Sequence, residues 1–276
     1  MRAALVQMTS SDQPSENLAA AEALIAGAAA DGAGFVLTPE VTNCVSASRS
    51  HQAEVLSLEK DDPVLAGLRE TAARHGVWLV IGSLALKSAS ASGRFINRSF
   101  LIAPEGTILA RYDKIHMFDV VLSETESYRE SDGFRPGSKA VLAETPFARI
   151  GLSVCYDLRF PQLYRALAKA GAQILTVPAA FAVPTGQAHW EVLLRARAIE
   201  CGAYVLAPAQ CGSHEVSRGR GRDTWGHSLA VTPWGEILAD GGDRPGVTCI
   251  DIDLGKVDGA RGKIPSLSHD RAFTGP

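Results

Sequence analysis

The sequence predicts an α/β protein folded as a four-layer αββα sandwich, with two mixed sheets face to face and helices outside. Three observations carry that prediction. From Ala3 to Ala207, short runs rich in Val, Ile and Leu alternate with alanine-rich stretches of helical length. A strand, P-x-G turn, strand pattern occurs twice, as SFLIAPEGTILA over Ser99 to Ala110 and SLAVTPWGEILA over Ser228 to Ala239. The segments ahead of each copy also match in order: Gly32-Ala33-Gly34-Phe35-Val36 with Gly171-Ala172-Gln173-Ile174-Leu175, and His75-Gly76-Val77-Trp78-Leu79 with Cys201-Gly202-Ala203-Tyr204-Val205. Two copies of one αβ layer pair bury their apolar faces most economically sheet against sheet, about a pseudo-twofold axis. No linker separates the copies, so residues 1–276 are expected to form a single domain.

Taken in order, Ala3 to Met8 is a near-continuous apolar run, as a strand covered on both faces requires. A helix follows over about Glu16 to Ala30, then strand Phe35 to Thr38, a helix near Val64 to Arg74, and strand Val77 to Ile81. In each hairpin the proline presets φ at the turn and the glycine supplies a positive φ. The SASASG stretch from Ser88 to Gly93 reads as a mobile hairpin tip. His116 to Phe147 reads as unpaired, and a loop of that length is usually functional. Strand Ala148 to Val154, helix Gln162 to Lys169, strand Gln173 to Val177, helix Ala188 to Cys201 and strand Tyr204 to Ala207 complete the second copy.

Composition narrows the function classes. With 46% hydrophobic and 21% charged residues the chain has ample core and none of the signature of disorder. Lys and Arg number 27 against 30 Asp and Glu, so no general field attracts a polyanion, and no nucleic-acid partner is expected. The apolar run at the N-terminus is too short for a signal core, and no uninterrupted spanning run of about 18 residues follows. A cytoplasmic protein with no membrane partner is expected. Five scattered cysteines without a C-x-x-C pair fit reduced thiols rather than a zinc site or a disulfide framework.

Cys155 closes an apolar strand and precedes Tyr156-Asp157-Leu158-Arg159-Phe160-Pro161 and a helix. A thiol on a strand-to-helix turn lies near N–H groups that favour thiolate and can hold an oxyanion. The bland alternative is a small buried hydrophobe. Glu40 and Lys114 each stand where an apolar strand ends, the place where α/β sites gather, although either alone reads as an ordinary solvated charge. His189, His214 and His227 are available as bases, but none lies in a diagnostic context. Gly219-Arg220-Gly221 with Gly226 fails the dinucleotide fingerprint because the third glycine is misplaced and no strand precedes it.

Leu37-Thr38-Pro39-Glu40, Tyr112 to Asp119 and Gly151 to Pro161 resemble, in order, the three catalytic motifs of the nitrilase superfamily of carbon–nitrogen hydrolases. The resemblance covers nearly the whole chain, and that family's fold is the sandwich already inferred. It implies Cys155 as nucleophile, Glu40 as general base, Lys114 as stabiliser of the tetrahedral intermediate and Glu130 as an assisting glutamate. The Tyr156 backbone N–H is implied as a second oxyanion donor, with no metal and no cofactor. Lys114 to Asp119, Arg129 to Asp132, Pro184-Thr185-Gly186 and His189 to Glu200 are similar to the branch acting on amides of 2-oxo acids. Gln210-Cys211-Gly212 favours a peptide-derived amide over 2-oxoglutaramate within it. Arg159 and Thr185 then hold the 2-oxo acid end, and the helix containing Glu191 and Arg195 serves a homo-oligomer, dimer or tetramer. One departure stands out: Ser217 to Arg222 is longer and more basic than the branch leads one to expect. It reads as a solvated loop, as a reach toward a distal carboxylate or, against the acidic balance of the chain, as an arginine–aromatic patch for nucleic acid beside Trp225.

Overall fold

The computed structural model describes residues 1–89, 93–124 and 126–275. In chain order the first half holds β1 (Arg2–Gln7), α1 (Pro14–Ala30), β2 (Phe35–Leu37), α2 (Arg49–Val55), α3 (Pro63–His75), β3 (Trp78–Leu86), β4 (Ile96–Ile102) and β5 (Ile108–Asp113). A connecting stretch carries β6 (Asp119–Val121) and β7 (Ser127–Arg129). The second half holds β8 (Val141–Glu144), β9 (Arg149–Leu152), α4 (Pro161–Lys169), β10 (Ile174–Thr176), α5 (Val183–Cys201) and β11 (Tyr204–Ala207). It continues with β12 (Cys211–Ser213), β13 (Asp223–Trp225), β14 (Leu229–Val231) and β15 (Ile237–Asp240), before β16 (Gly246–Asp251) and α6 (Gly255–Lys263).

Among the described residues two six-stranded sheets form, ordered β16-β1-β2-β3-β4-β5 and β8-β9-β10-β11-β14-β15. The pattern is the same in both: one antiparallel edge strand, three parallel strands, then an antiparallel hairpin. The duplication is therefore real, and each repeat begins one strand earlier than its sequence match. β16 crosses from the end of the chain to do for β1 what β8 does for β9. Both hairpins turn at the glycines expected, Gly106 at φ 82° and Gly235 at φ 88°.

Strand alternation explains the layers. Ala3, Leu5, Phe35 and Leu37 face Ile150, Leu152, Ile174 and the rest of the second sheet in one core. Their neighbours Ala4, Val6 and Val36 point the other way, against Ile25 of α1 and Leu65 and Leu68 of α3. On the far side of the second sheet Tyr164 of α4 and Trp190 and Leu194 of α5 close the outer layer.

Several sequence expectations change. His116 to Phe147 is not unpaired: β6 and β7 make a hairpin, and β8 joins the second sheet. β3 runs on past Ile81 through an irregularity in register to Leu86. α5 begins at Val183 rather than Ala188, because Pro184 falls in its first turn, where its missing N–H costs nothing. Thr185 therefore lies in a helix, not a loop. Ser90 to Ser92 of the hairpin tip lie outside the described residues.

Candidate active site

The site forms where the carboxyl ends of the central strands of both sheets meet. Gly82 shows how tightly they meet: a Cβ there would come within 2.0 Å of the Thr38 carbonyl, 2.4 Å of the Pro39 carbonyl and 2.6 Å of Pro178. Glu40 follows β2, Lys114 follows β5 and Cys155 follows β9. All three line one cavity of about 640 Å³.

Cys155 has φ 50°, a left-handed conformation that costs about 1–3 kcal/mol for a residue with a Cβ. Its surroundings hold it there. Its N–H donates to the Pro178 carbonyl at 2.9 Å, tying the turn to the strand-end of β10. Asp157, fully buried two residues on, accepts from Val154 N at 2.9 Å, from the Tyr112 hydroxyl at 2.6 Å and from His116 N at 3.0 Å, while its carboxylate pairs with His116 Nδ1 at 2.7 Å. The nucleophile turn and the stretch bearing Lys114 are thereby fastened together. A 3₁₀ turn over Cys155–Arg159, rather than α-helix, follows the sulfur.

Lys114 is 2% exposed, and a lone ammonium at that depth would be untenable. Its Nζ donates to Glu40 Oε1 at 2.9 Å and to Glu130 at 3.0 and 2.8 Å. Burial alone would lower its pKa, but Glu130 and Glu40 outweigh that and hold it well above the ordinary lysine value. Glu40 shows the mirror case: burial pushes its carboxyl up, yet Lys114 and the hydrogen bond from the Cys155 thiol bring it below the usual range. Cys155 departs from expectation. Burial and the adjacent Glu40 charge raise its thiol well above the ordinary value despite Lys114, so the resting sulfur keeps its proton. A carboxylate in contact with a protonated thiol can remove that proton as the sulfur attacks.

Glu130 is not the surface charge its loop position suggests. Its side chain is 15% exposed, and besides Lys114 it accepts from Phe118 N at 2.7 Å. Asn97, which sequence reasoning passed over, completes the cluster: its amide donates to Glu40 Oε1 at 2.9 Å and to Glu130 Oε1 at 3.4 Å. The available signal was a pair of polar residues, Asn97 and Ser99, two apart and so on one face of β4, and both are buried.

The expected substrate residues are placed unequally. Tyr156 and Thr185 line the cavity. The Thr185 hydroxyl donates to the Ala182 carbonyl at 3.1 Å. The Arg159 guanidinium lies behind the wall, 5.8 and 5.5 Å from the ring centres of Tyr156 and Phe181 and 3.3 Å from His189 Nδ1. Of the other histidines, His214 is buried between the Ser10 carbonyl and Thr224 Oγ1, and His227 pairs with Asp240. None touches the cluster.

Known proteins resemble the chain over nearly its whole length. Residues 2–261 match the carbon-nitrogen hydrolase family. The chain is 42% identical to the deaminated glutathione amidase of Yersinia enterocolitica over 97% of its own length and 92% of that protein's. It is 35% identical to the omega-amidase NIT2 of Bos taurus over 98% and 95%. Its fold overlays the crystal structure of the C. elegans NitFhit protein with a TM-score of 0.90 at 36% identity, covering 98% of this chain and 65% of that one. With two matched sheets, a buried Glu-Lys-Cys cluster at their strand ends and this kinship, the chain belongs to the carbon-nitrogen hydrolase family.

Proposed function

We propose that the protein hydrolyses the amide of a 2-oxo acid, with deaminated glutathione as the best candidate, through a thioester on Cys155. The observation that carries this reading is the Cys155 thiol held against an ionised Glu40 at the foot of a cavity far larger than a small primary amide requires. Glu40 takes the thiol proton as sulfur attacks the amide carbonyl. The developing oxyanion is stabilised by Lys114 and the Tyr156 N–H, which stands in the first turn of a helix, where such groups have no partner within it. Glu40 then passes its proton to the leaving nitrogen, the amine or ammonia departs, and a water activated by Glu40 releases the acid. Glu130 keeps Lys114 charged and aimed. No metal or cofactor enters these steps. Thr185 and Tyr156 meet the acyl half, with Arg159 close behind them.

The kinship to an omega-amidase supports a second substrate, 2-oxoglutaramate, at the same site. Measuring kcat/KM for deaminated glutathione, 2-oxoglutaramate and plain aliphatic amides tests the reading. The first is expected to exceed the last by at least about tenfold; parity across all three, or activity on nitriles alone, overturns it. Among the described residues no helix is long and apolar enough to cross a membrane. We further propose a cytoplasmic enzyme of one domain that pairs with a second copy over the exposed Val192 and Ile199 of α5 and Trp234 of the β14–β15 turn. Sedimentation would measure its oligomeric state.

A further inference from the structure

Asn97 reaches Glu40, Glu130 and Lys114 at once. Its neighbour Arg98 pairs with Asp113 at the end of the β4–β5 ladder, and one step on the Asn97 carbonyl accepts from Lys114 N at 2.9 Å. The residue thus fixes the main chain of the lysine, while its side-chain amide meets the two carboxylates that hold the ammonium.

That amide is retained against a penalty. Asn97 is buried, and its Oδ1 has no hydrogen-bond partner among the described residues. A buried acceptor in that state is unfavourable, and turning the amide over would set Oδ1 against Glu40 and Glu130. An apolar side chain branched in the same way, such as Leu, would leave no orphan. What the position keeps is the donor.

The donors around Glu40 are unevenly shared between its oxygens. Oε1 accepts from Lys114 Nζ and from Asn97 Nδ2, at 2.9 Å each, whereas Oε2 accepts from Ala180 N at 2.8 Å. A carboxylate oxygen has about two lone-pair sites, so among the described residues Oε1 is filled and Oε2 keeps one open. The Cys155 thiol is hydrogen-bonded to this carboxylate. Without Asn97 each oxygen would hold one of these donors, and nothing in their number would tell the two apart.

We propose that Asn97 is a positioning residue that, with Lys114, closes Oε1 of Glu40 to protons, so that Oε2 both takes the proton from Cys155 and delivers it to the leaving nitrogen. This rests on the amide-hydrolase reading above and deepens it. In the first step the S–H bond breaks, its proton goes to Oε2, the S–C bond forms and the carbonyl π pair moves onto oxygen. In the second the Oε2 proton moves to nitrogen, the oxyanion pair re-forms the carbonyl, and the amine or ammonia leaves with the C–N pair. A proton on Oε1 would face Lys114 and Asn97 instead of the substrate.

Two reactions of Cys155 separate these duties. Alkylation by iodoacetamide needs only the first transfer, since sulfur displaces iodide as Glu40 takes the thiol proton; amide turnover needs both. Asn97→Leu removes the donor, and Asn97→Asp keeps the shape but puts a further negative charge in its place. Asn97→Ser leaves room for a water to donate, and keeps the test open should the Leu variant not fold. Losing a hydrogen bond to its ionised form makes Glu40 easier to protonate, so the acid limb of both pH profiles is expected to move up. The rise should be about one to two pH units in Asn97→Leu, less in Asn97→Ser and more in Asn97→Asp. On the plateau, kcat of Asn97→Leu should fall by about 10- to 100-fold while KM and the alkylation rate stay within about threefold.

Losses of one size at every pH, with the limb unmoved in all three variants, would reduce Asn97 to packing and overturn the proposal. Alkylation falling as far as turnover would overturn it too, because the two oxygens would then have no separate duties. A wild type that alkylates at Cys155 on such a limb but cleaves no amide would sink the amide-hydrolase reading and the second transfer with it, and the limb shift would still support or refute the hold of Asn97 on Glu40.

Discussion

The two halves of the molecule repeat one topology and carry different loads. After β2 the chain passes through Pro39 to Glu40, whose carboxylate meets Lys114 and is the base in the proposed mechanism; after β10 it passes through Pro178 to Ala180, which contributes only its backbone, donating to Glu40 and accepting from Arg222. β1 ends at Gln7, whose amide is spent on the carbonyls of Gly242 and Arg244 at 2.8 Å each; after β9 the chain reaches Cys155, the proposed nucleophile. The duplicated scaffold supplies strand ends, and asymmetry decides what stands on them. The insertions differ in the same way: β6–β7 and Glu130 lie between the halves, while the basic loop interrupts only the second.

The strongest way to break this asymmetry is to neutralise the charged member of the first pair. Glu40→Gln keeps the shape but leaves the thiol without a base and Lys114 with one carboxylate fewer. Turnover on any amide is expected to fall by about 10²–10⁴-fold. Ala180→Gly, one residue past the matching place in the second half, should stay within about tenfold because its N–H and C=O remain. Steady-state kinetics on both variants check the contrast; comparable losses would mean that the two strand ends share the chemistry.

Glu130→Gln tests the connecting stretch, and a smaller effect is expected. From the sequence alone a charge in that loop would be nearly neutral for stability. The structure changes the forecast, because Glu130 neutralises a buried ammonium. Losing one of two counter-charges should cost about 1–3 kcal/mol, less than breaking a fully buried pair because Glu40 remains, together with a large fall in kcat. Urea unfolding and kinetics on one preparation separate the two. Full stability with full turnover would restore the loop-charge view, and full stability with lost turnover would confine Glu130 to the chemistry.

How much of this was legible follows from where each signal lies. The central strands and both hairpins were readable because burial on two faces writes an unbroken apolar run and a P-x-G turn writes itself locally. β8 and β16 were not, since edge strands such as Val141–Glu144 and Gly246–Asp251 are partly exposed and therefore mixed in polarity. Glu40, Lys114 and Cys155 could be singled out by position, but a charge at a strand end is common, and only the combination of three motifs raised them above an ordinary reading. Glu130 had no local signature. Nor did Asn97, whose role depends on two carboxylates that arrive from far along the chain. The state of the Cys155 thiol was not legible: the strand-to-helix turn suggested a thiolate, but burial and Glu40 together raise its pKa despite Lys114.

The last and smallest expected effect concerns the loop that the first half lacks. His214 starts it, 4% exposed and bound to the Ser10 carbonyl and Thr224 Oγ1 at 2.7 Å each, and burial lowers its pKa to about 4 from an ordinary 6.5. The unfolded chain therefore binds a proton there before the folded one does. The contribution of neutral His214 is fully present above pH 6.5 and is lost progressively as pH falls toward 4. Between pH 6.5 and pH 5 this amounts to about 2 kcal/mol. His214→Gln can accept from Thr224 and donate to Ser10 without titrating, so its urea midpoint should fall less steeply over that interval than the wild type's. Parallel stability curves for the two proteins would show that the second half's extra loop is not held by this histidine, and its anchorage would then rest on the hydrogen bonds of Ser217 to Asp12.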